Sequence, residues 1–389
     1  MITIDNKINC CGCSACEQTC PVHAITMRRD KLGFDYPVVN EKACINCKAC
    51  DKVCPIKNEF DPRIPSHVYA VKNKNKEERM ASSSGGVFSI LAKDTLAKGG
   101  TVYGAAFDDK WNVHPIRINT IKDLHFLQGS KYVQSKIGTI YKQVKNDLQN
   151  GRKVLFSGTP CQIAALQKFL KHKHPNLTTV DVACHGVPNP RIWENFLKEQ
   201  TKSDEKIKNI FFRDKSTGWN NYSFRIDISE KTYTQKVWEH TYMLLFLHNF
   251  ILRPSCHSCH FRNGKSNADY TMCDYWSIER NHPNFFDENG VGALITYNQD
   301  LPQCMLCNSE LIETNYKDLC YGNPALINDW PRNKDSKLFY FLHNKIGFSL
   351  NTSLKIGLIS MYIRAIPQKS INLTFFVARK LLSYVKWQK

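Results

Sequence analysis

The chain of 389 residues is long enough for two or three domains, and its 42% hydrophobic and 23% charged residues are ordinary for a folded protein. This composition excludes a disordered, collagen-like or low-complexity chain. The net charge is +18, and residues 331–389, with eleven Lys and Arg against the single acid Asp335, contribute +10 of it. Any contact with a polyanion would therefore depend on the tail.

The N-terminal residues and the cysteine pattern together predict the cellular compartment. Met1 to Asn9 is polar and no run of 18 apolar residues occurs, so we expect neither a signal peptide nor a spanning helix. The 17 cysteines are odd in number and clumped at short spacings, which favours metal or cluster ligation in a reducing compartment over disulfides. We therefore predict a cytoplasmic protein.

Residues 1–60 hold nine of the cysteines in two copies of one motif. Each copy, Cys-x2-Cys-x2-Cys-x3-Cys-Pro, matches the bacterial ferredoxin run for a [4Fe-4S] cluster, in which the fourth thiolate crosses to the other cluster. Two CxxC pairs can also form a zinc ribbon, but a ribbon needs neither the third cysteine nor the Cys-Pro. Cys11 is left over. The predicted ligand sets are Cys10, Cys13, Cys16 and Cys54 for one cluster, and Cys44, Cys47, Cys50 and Cys20 for the other.

A linker with two prolines, 60–65, leads into alternating strands and helices. Strands are predicted at 68–71, 102–107, 153–156 and 178–182, and helices at 87–98, 137–150 and 161–170. This alternation predicts an α/β fold with a mixed sheet over residues 66–330, followed by a helical tail from Pro331.

A second set of cysteines is spread over the α/β region. Cys161 and Cys184 each follow a predicted strand, where loops from one sheet edge can converge, and Cys256-x2-Cys259 adds two more. Four is the right number for a third [4Fe-4S] cluster; a zinc site and inert buried thiols are the alternatives. A weaker group, for which a structural role is the simpler interpretation, comprises Cys273, Cys304, Cys307 and Cys320.

The end of the tail can form a basic amphipathic helix. Such a helix would either lie on an anionic membrane surface or cover the core with its basic side in water. No nucleic-acid-binding motif accompanies it, so we expect no nucleic acid. The apolar face comprises Leu373, Phe376, Val377, Leu381, Tyr384 and Val385, and the basic residues elsewhere are Arg379, Lys380, Lys386 and Lys389.

Several motifs together resemble one known family. They are Ser-Ser-Ser-Gly-Gly-Val-Phe at 82–88, Gly-Ser-Lys-Tyr-Val-Gln-Ser at 129–135, Phe-Ser-Gly-Thr-Pro-Cys-Gln at 156–162, Cys-His-Gly-Val-Pro at 184–188, and Cys256-x2-Cys259 followed by Ala-Asp-Tyr-Thr-Met-Cys-Asp-Tyr-Trp at 268–276. In this order they resemble the coenzyme F-420 hydrogenase/dehydrogenase beta subunit family, here behind a two-cluster ferredoxin module. The resemblance covers roughly residues 1–300.

This resemblance implies an iron–sulfur flavoprotein in which FAD connects a two-electron carrier to one-electron clusters. It also implies that Cys161, Cys184, Cys256 and Cys259 are the ligands of a flavin-side cluster. One departure is Cys273, where the family usually has Gly before Asp274, which puts the local geometry at 274–276 in doubt. The basic tail has no counterpart in the family pattern.

Three segments are candidates for flavin contacts. A predicted helix opens at Ser83-Ser84-Gly85-Gly86, where free N–H groups, hydroxyls and the helix dipole suit a pyrophosphate; a plain helix cap is the alternative. Residues 129–135 would supply a cation, a ring face and a hydroxyl, unless they only begin a surface helix. Residues 158–162 end a strand, where ligands of open sheets gather. The candidate cofactor-binding residues are Ser83, Ser84, Gly85, Gly86, Lys131, Tyr132, Ser135, Gly158, Thr159, Pro160 and Gln162.

His185 is the candidate catalytic residue. Because the pKa of histidine is near neutral, His185 would serve as a proton donor close to the flavin; a hydrogen-bonded core histidine is the alternative.

The sequence thus predicts four segments: a two-[4Fe-4S] ferredoxin domain at 1–60, the N-terminal and C-terminal parts of a flavoprotein core at 66–150 and 151–330, and a basic helical tail at 331–389. We expect an oxidoreductase that passes electrons between a hydride carrier, such as the deazaflavin coenzyme F-420, and the clusters through FAD. Expected partners are a redox protein or ferredoxin and a small-molecule hydride carrier; peripheral contact of the tail with the inner face of the membrane is the alternative to a tail that covers the core. The alternatives are a ferredoxin-fed reductase of its own organic substrate and a non-catalytic electron-transfer subunit.

Overall fold

The computed structural model describes residues 1–202 and 204–365. The fold class predicted from the sequence is confirmed: a small ferredoxin-like segment precedes a large mixed α/β sheet. The predicted amphipathic helix of residues 373–389 lies outside the described residues.

The ferredoxin-like segment is a structural repeat as well as a sequence repeat. Helices α1 (Ala15–Thr19) and α2 (Ala49–Lys52) each begin inside a cysteine motif, and strands β1 (Ile25–Arg29) and β2 (Asp35–Val39) form an antiparallel hairpin between them. The residues preceding the two helices, Ser14 at φ 57° and Lys48 at φ 58°, share the same left-handed conformation. The two motifs therefore fold the backbone in the same way.

The core is an eight-stranded mixed sheet. Its strands are β3 (His67–Asn73), β4 (Thr101–Phe107), β5 (Val113–Ile118), β6 (Val154–Gly158), β7 (Leu177–Val182), β11 (Tyr270–Asp274), β12 (Gly292–Thr296) and β13 (Ser309–Thr314). They lie side by side in the order β13-β3-β12-β11-β7-β6-β4-β5. The four neighbouring strands β11, β7, β6 and β4 run parallel, and antiparallel strands flank them on both sides.

Helices cover both faces of this sheet. Successive strand residues point to opposite faces, so Val102 and Leu155 pack with one cluster while Tyr103 and Phe156 pack with another. Helix α4 (Val87–Ala97) supplies the first cluster, and α6 (Ile140–Gln149) and α7 (Pro160–Leu170) supply the second. Four shorter helices lie between strands, α3 (Lys76–Ala81), α5 (Leu124–Leu127), α10 (Ile278–Asn281) and α11 (Gln303–Asn308), and α12 (Tyr316–Gly322) follows β13.

A second, smaller sheet lies beside the core. Strands β8 (Ile207–Asp214), β9 (Ser223–Ile228) and β10 (Lys231–Lys236) pair antiparallel in the order β10-β9-β8. This sheet shares one apolar cluster with helices α8 (Pro190–Gln200) and α9 (Thr241–Leu247).

The described part of the tail is helical, with α13 (Ser336–Phe341), a π-helical turn (Leu342–Ile346) and α14 (Leu350–Ala365). Phe339, Leu350 and Leu354 are buried in the apolar cluster of the smaller sheet, so this part of the tail covers the core. Within residues 1–202 and 204–365, no helix has the length and apolar character needed to cross a membrane.

Candidate functional site

The first predicted cysteine set surrounds one cavity. Cys10, Cys13, Cys16 and Cys54 line a space between the two motifs. Cys54 belongs to the second motif, and it reaches the first because Cys16, Cys20, Cys50 and Cys54 pack together in one apolar cluster under the hairpin. This arrangement is compatible with the crossover predicted from the ferredoxin spacing, and the ligand sets stay predictions.

The second predicted set surrounds a cavity of its own. Cys20, Cys44, Cys47 and Cys50 line a separate space. This cavity is near the surface, because Cys47 is exposed and the neighbouring Ile45 is 61% exposed. The backbone N–H of Ala24 donates to Cys20 Sγ at 3.3 Å. Such hydrogen bonds to sulfur are among the factors that set cluster potentials.

The third predicted set also converges. Cys161, Cys184, Cys256 and Cys259 line one cavity at the carboxyl edge of the parallel strands. Cys161 is the second residue of α7, directly after β6, and Cys184 lies two residues beyond the end of β7. The other two come from the 3-10 turn at 254–258 and the residue after it. Adjacent parallel strands thus deliver their loops to one point, as expected of an open sheet.

Burial controls the protonation of these thiols. Desolvation raises the pKa of Cys184 well above the ordinary thiol value, that of Cys256 to about 12 and that of Cys259 to about 11. In the protein alone these groups are neutral at physiological pH. They would lose their protons on binding iron, since a coordinated thiol is deprotonated outright.

Polar contacts hold two of these sulfurs in place. The backbone N–H of Val187 donates to Cys256 Sγ at 3.4 Å, and Thr159 Oγ1 lies 3.2 Å from Cys161 Sγ. Among the described residues, no group of three or more His, Cys, Asp and Glu is arranged around one point that could hold a single metal ion. A tetrahedral zinc site would hold its thiolates about 2.3 Å from one ion.

Cys11, left over in the sequence, has a defined place between two sites. It lines the cavity of the first set and, beside Cys161, that of the third, and Ile56 lines both cavities as well. Sequence spacing could not reveal this, because Cys161 is distant in the chain. Cys11 and Ile56 form the partition between the two cavities.

We expect Cys11→Ser to leave the iron content unchanged, at about twelve per chain for three [4Fe-4S] sets, because each set already has four thiolates without it. Iron and acid-labile sulfide analysis of the anaerobically purified protein measures this. The matched variant Cys13→Ser, two residues away, should lose about four irons. A loss of iron in Cys11→Ser would instead make Cys11 a ligand.

The Ser83–Gly86 segment is bound tightly to protein groups. Ser83 Oγ is 2.8 Å from the hydroxyl of Ser130, and Ser84 Oγ donates to the carbonyl of Val291 at 2.9 Å. A Cβ at Gly85 would collide with the carbonyl of Val71 and the backbone of Gly292. The glycine is therefore required for close packing of the loop on β3 and β12. Gly86, at φ 86°, is the N-cap of α4, which is the helix-cap alternative.

The 129–135 segment has mixed surroundings. Lys131 Nζ donates to the carbonyls of Gln128 and Gly129 at 2.9 and 3.1 Å, and the ring of Tyr132 packs between Phe212 and Phe246. The buried hydroxyl of Ser135 has no hydrogen-bond partner among the residues the structure describes. Buried polar groups normally have partners, so this hydroxyl is suited to a bound polar ligand.

Residues 158–162 form the start of α7. Thr159 and Gln162 make a reciprocal capping box, with Pro160 at the first helical position. Pro160 also lines the third cavity, whereas Gly158 packs against the side chain of Gln162. The flavin contacts assigned to all three segments stay predictions.

His185 lines the third cavity but does not have the near-neutral pKa expected from the sequence. Burial lowers the pKa of His185 to about 4, so the ring is neutral at physiological pH. Its Nε2 is 2.7 Å from Asn249 Oδ1, and the ring packs on Phe246 and Trp330. These contacts favour the hydrogen-bonded core histidine.

The four remaining cysteines do not converge. Cys304 is buried in the apolar cluster on the α4 face of the sheet, and Cys307 is exposed. Cys273 and Cys320 pack in a different cluster with Tyr316. A fourth cluster built from all of them has no common site in the described part of the chain.

A buried ion pair follows Cys273 directly. Asp274 accepts two hydrogen bonds from Arg213, at 2.9 and 3.0 Å, and one from Trp219 Nε1 at 2.7 Å. Arg213 lies over the ring of Tyr222, 4.0 Å from its centroid. Cysteine at position 273 therefore leaves Asp274 fully engaged. Sequence reasoning missed Arg213, since no local motif ties β8 to β11.

Two models of known protein families match the chain over the regions that contain the three cysteine sets. Residues 151–309 match a family model that describes the C-terminal part of the coenzyme F420 hydrogenase/dehydrogenase beta subunit, and residues 9–58 match a 4Fe-4S dicluster domain. The resemblance inferred from the motifs is thus confirmed over these two regions, which supports an iron–sulfur oxidoreductase chain. No curated protein matches the sequence significantly.

Among solved structures, a xenon derivative of the F420-reducing [NiFe] hydrogenase complex from Methanosarcina barkeri contains a similar chain. The identity is 14% and the TM-score 0.43, over 65% of this chain and 83% of that chain.

Proposed function

We propose that this chain is an iron–sulfur flavoprotein that passes electrons between a hydride carrier and a partner protein through FAD and three [4Fe-4S] clusters. One observation carries the proposal: three cavities are each lined by one of the three predicted sets of four cysteines. Twelve cysteines distributed in this way are the ligand requirement of three cubane clusters.

The positions of the cavities support one order of electron transfer. The third cavity adjoins the first across Cys11 and Ile56, and the first adjoins the second across the packed thiols of Cys16 and Cys50. The second is the one with an exposed cysteine, Cys47. We therefore propose that electrons run between the third site and the surface by way of the first, and that the partner protein docks beside Cys47.

FAD, when bound, accepts electrons as a pair and releases them singly, which clusters require. Its contacts are proposed on the Ser135 hydroxyl, which lacks a partner among the described residues, and on Pro160 beside the third cavity. Gly85 and Gly86 are a weaker choice because they are packed against protein atoms. The buried environment of the third cavity would exclude water from the reacting groups.

The test is anaerobic purification with iron, sulfide and flavin quantification, followed by separate additions of the deazaflavin coenzyme, NADH, NADPH and reduced ferredoxin. We expect about twelve irons and one FAD per chain, as three [4Fe-4S] sets require, with flavin bleaching by one hydride donor. Bleaching only by reduced ferredoxin would favour a reductase of an organic substrate. About eight irons and no flavin would contradict the proposal and leave a ferredoxin module on an α/β domain.

A further inference from the structure

Arg253 joins two of the candidate cluster sites through its own backbone and side chain. It is the residue before the 3-10 turn that carries Cys256, and its carbonyl accepts the N–H of Cys256 at 2.9 Å. Its backbone N–H donates to the carbonyl of Val187, whose own N–H donates to Cys256 Sγ. Arg253 is therefore part of the hydrogen-bonded backbone that surrounds Cys256 in the third site.

The side chain of Arg253 extends away from the third site and into the ferredoxin-like segment. Nε donates to the carbonyl of Cys10 at 2.8 Å, Nη2 donates to the carbonyl of Asp35 at 2.9 Å, and Nη2 lies 3.7 Å from Cys10 Sγ. Nη1 donates to Gln134 Oε1 at 3.1 Å. The guanidinium also lies 4.4 Å from the ring centroid of Tyr36. One side chain thus holds the Cys10 loop against the core.

The loop is shaped to admit this guanidinium. Gly12, at φ 71°, lies so close that a Cβ there would be 2.7 Å from Arg253 Nη1. A side chain at position 12 would displace the arginine, and the positive φ is unfavourable for any other residue. Glycine at position 12 of the first cysteine motif therefore leaves the space that the guanidinium of Arg253 occupies.

The charge of Arg253 has no acidic partner. The residue is 0% exposed, and within residues 1–202 and 204–365 no carboxylate lies within 4.0 Å of its guanidinium. A buried charge is costly unless it is paired. The hydrogen-bond acceptors around it are neutral carbonyl groups and the sulfur of Cys10, and the rings of Tyr36 and Phe34 supply cation–π contacts but no negative charge. A [4Fe-4S] cluster with four thiolates carries a net negative charge at this position.

We propose that Arg253 is the counter-cation of the cluster bound at Cys10 and raises its reduction potential. Reduction adds an electron to an already negative cluster, so a fixed cation beside it favours the reduced state. The inference rests on the proposed function, since it requires that cluster. Arg253 is a positioning residue: it acts on the cluster through charge and hydrogen bonds and not as a ligand.

The test is a potentiometric EPR titration of the full chain, purified anaerobically, for the wild type, Arg253→Gln and Arg191→Gln. Arg191 is the matched control, because it also holds the ferredoxin-like segment, through the carbonyls of Lys31 and Asp30 at 2.7 and 3.3 Å, and among the described residues it hydrogen-bonds to no cysteine. The signal of the Cys10 cluster is identified as the one that Cys10→Ser removes. We expect its midpoint potential to fall in Arg253→Gln and to stay unchanged in Arg191→Gln.

Equal potentials in the wild type and Arg253→Gln, with full iron content, would overturn the inference. If Arg253→Gln does not fold, Arg253→Met replaces it, because its unbranched apolar side chain fills much of the same space without the charge, and we expect the potential to fall in this variant too. An unchanged potential in Arg253→Met, with full iron content, would then overturn the inference. Absence of cluster signals in the wild type would contradict the proposed function itself, which keeps the two failures distinguishable.

Discussion

Cys54→Ser is expected to remove the cluster of the first cysteine motif, although Cys54 belongs to the second motif. Cys54 lines the same cavity as Cys10, Cys13 and Cys16, and not the cavity of Cys44 and Cys47. Iron content should fall from about twelve to about eight per chain, because a [4Fe-4S] cluster needs four thiolates. EPR of the reduced protein should lose one of its signals.

A matched thiol variant separates this effect from general damage. Cys307→Ser changes an exposed cysteine of α11 outside the three cavities and should keep the full iron content. Cys20→Ser is the reciprocal variant and should remove the other ferredoxin-type cluster. Loss of the same EPR signal in Cys54→Ser and Cys44→Ser would contradict the crossover, because it would place both residues on one cluster.

The cysteine sites were predictable from sequence to different extents. The ferredoxin motifs are local, since spacings of two and three residues determine which thiolates can reach one cubane. The third site depends on strand order, and spacing alone could say only that four cysteines were available. Residues 161 and 184 follow adjacent parallel strands, β6 and β7, which bring their loops together.

The elements of the core followed the predicted alternation closely, because hydrophobic period and turn residues are local signals. The predicted helix at 161–170 is α7, Pro160–Leu170, and the predicted strand at 102–107 is β4, Thr101–Phe107. The separate sheet of β8, β9 and β10 was not anticipated, since choosing a sheet for each strand requires long-range pairing.

The role of the Gly85-Gly86 pair is an example of what the sequence leaves ambiguous. In a sequence, Gly85-Gly86 before a helix predicts equally well a phosphate-binding loop or close packing. The structure shows the carbonyl of Val71 and the backbone of Gly292 where a Cβ of residue 85 would lie, which is a packing reason sufficient by itself. Arg253 was invisible for the opposite reason: its partners are backbone carbonyls and a sulfur about 240 residues earlier, and no motif includes them.

Under the proposed function, Cys184→Ser is expected to disconnect the flavin from the ferredoxin-type clusters. Cys184 lies beyond β7 in the third cavity, which adjoins the first only across Cys11 and Ile56. Without the third cluster, the electron path from the flavin would have a gap, while hydride transfer to the flavin would continue. We expect a loss of about four irons. We also expect reduction of the remaining clusters to slow by more than about 100-fold. The loss of a whole cluster from the electron path should cost more than the loss of a side chain that only hydrogen-bonds to a metal ligand.

Stopped-flow absorbance measures both steps, since flavin bleaching and cluster bleaching have different spectra. The control is Cys304→Ser, a buried cysteine in the apolar cluster on the α4 face of the sheet and outside the third cavity, which should keep both rates. Because burial raises the pKa of Cys184 and leaves it neutral without iron, serine there should be tolerated by the fold. Fast cluster reduction in Cys184→Ser would mean that electrons reach the Cys10 site without the third cluster, and the proposed order of transfer would be wrong.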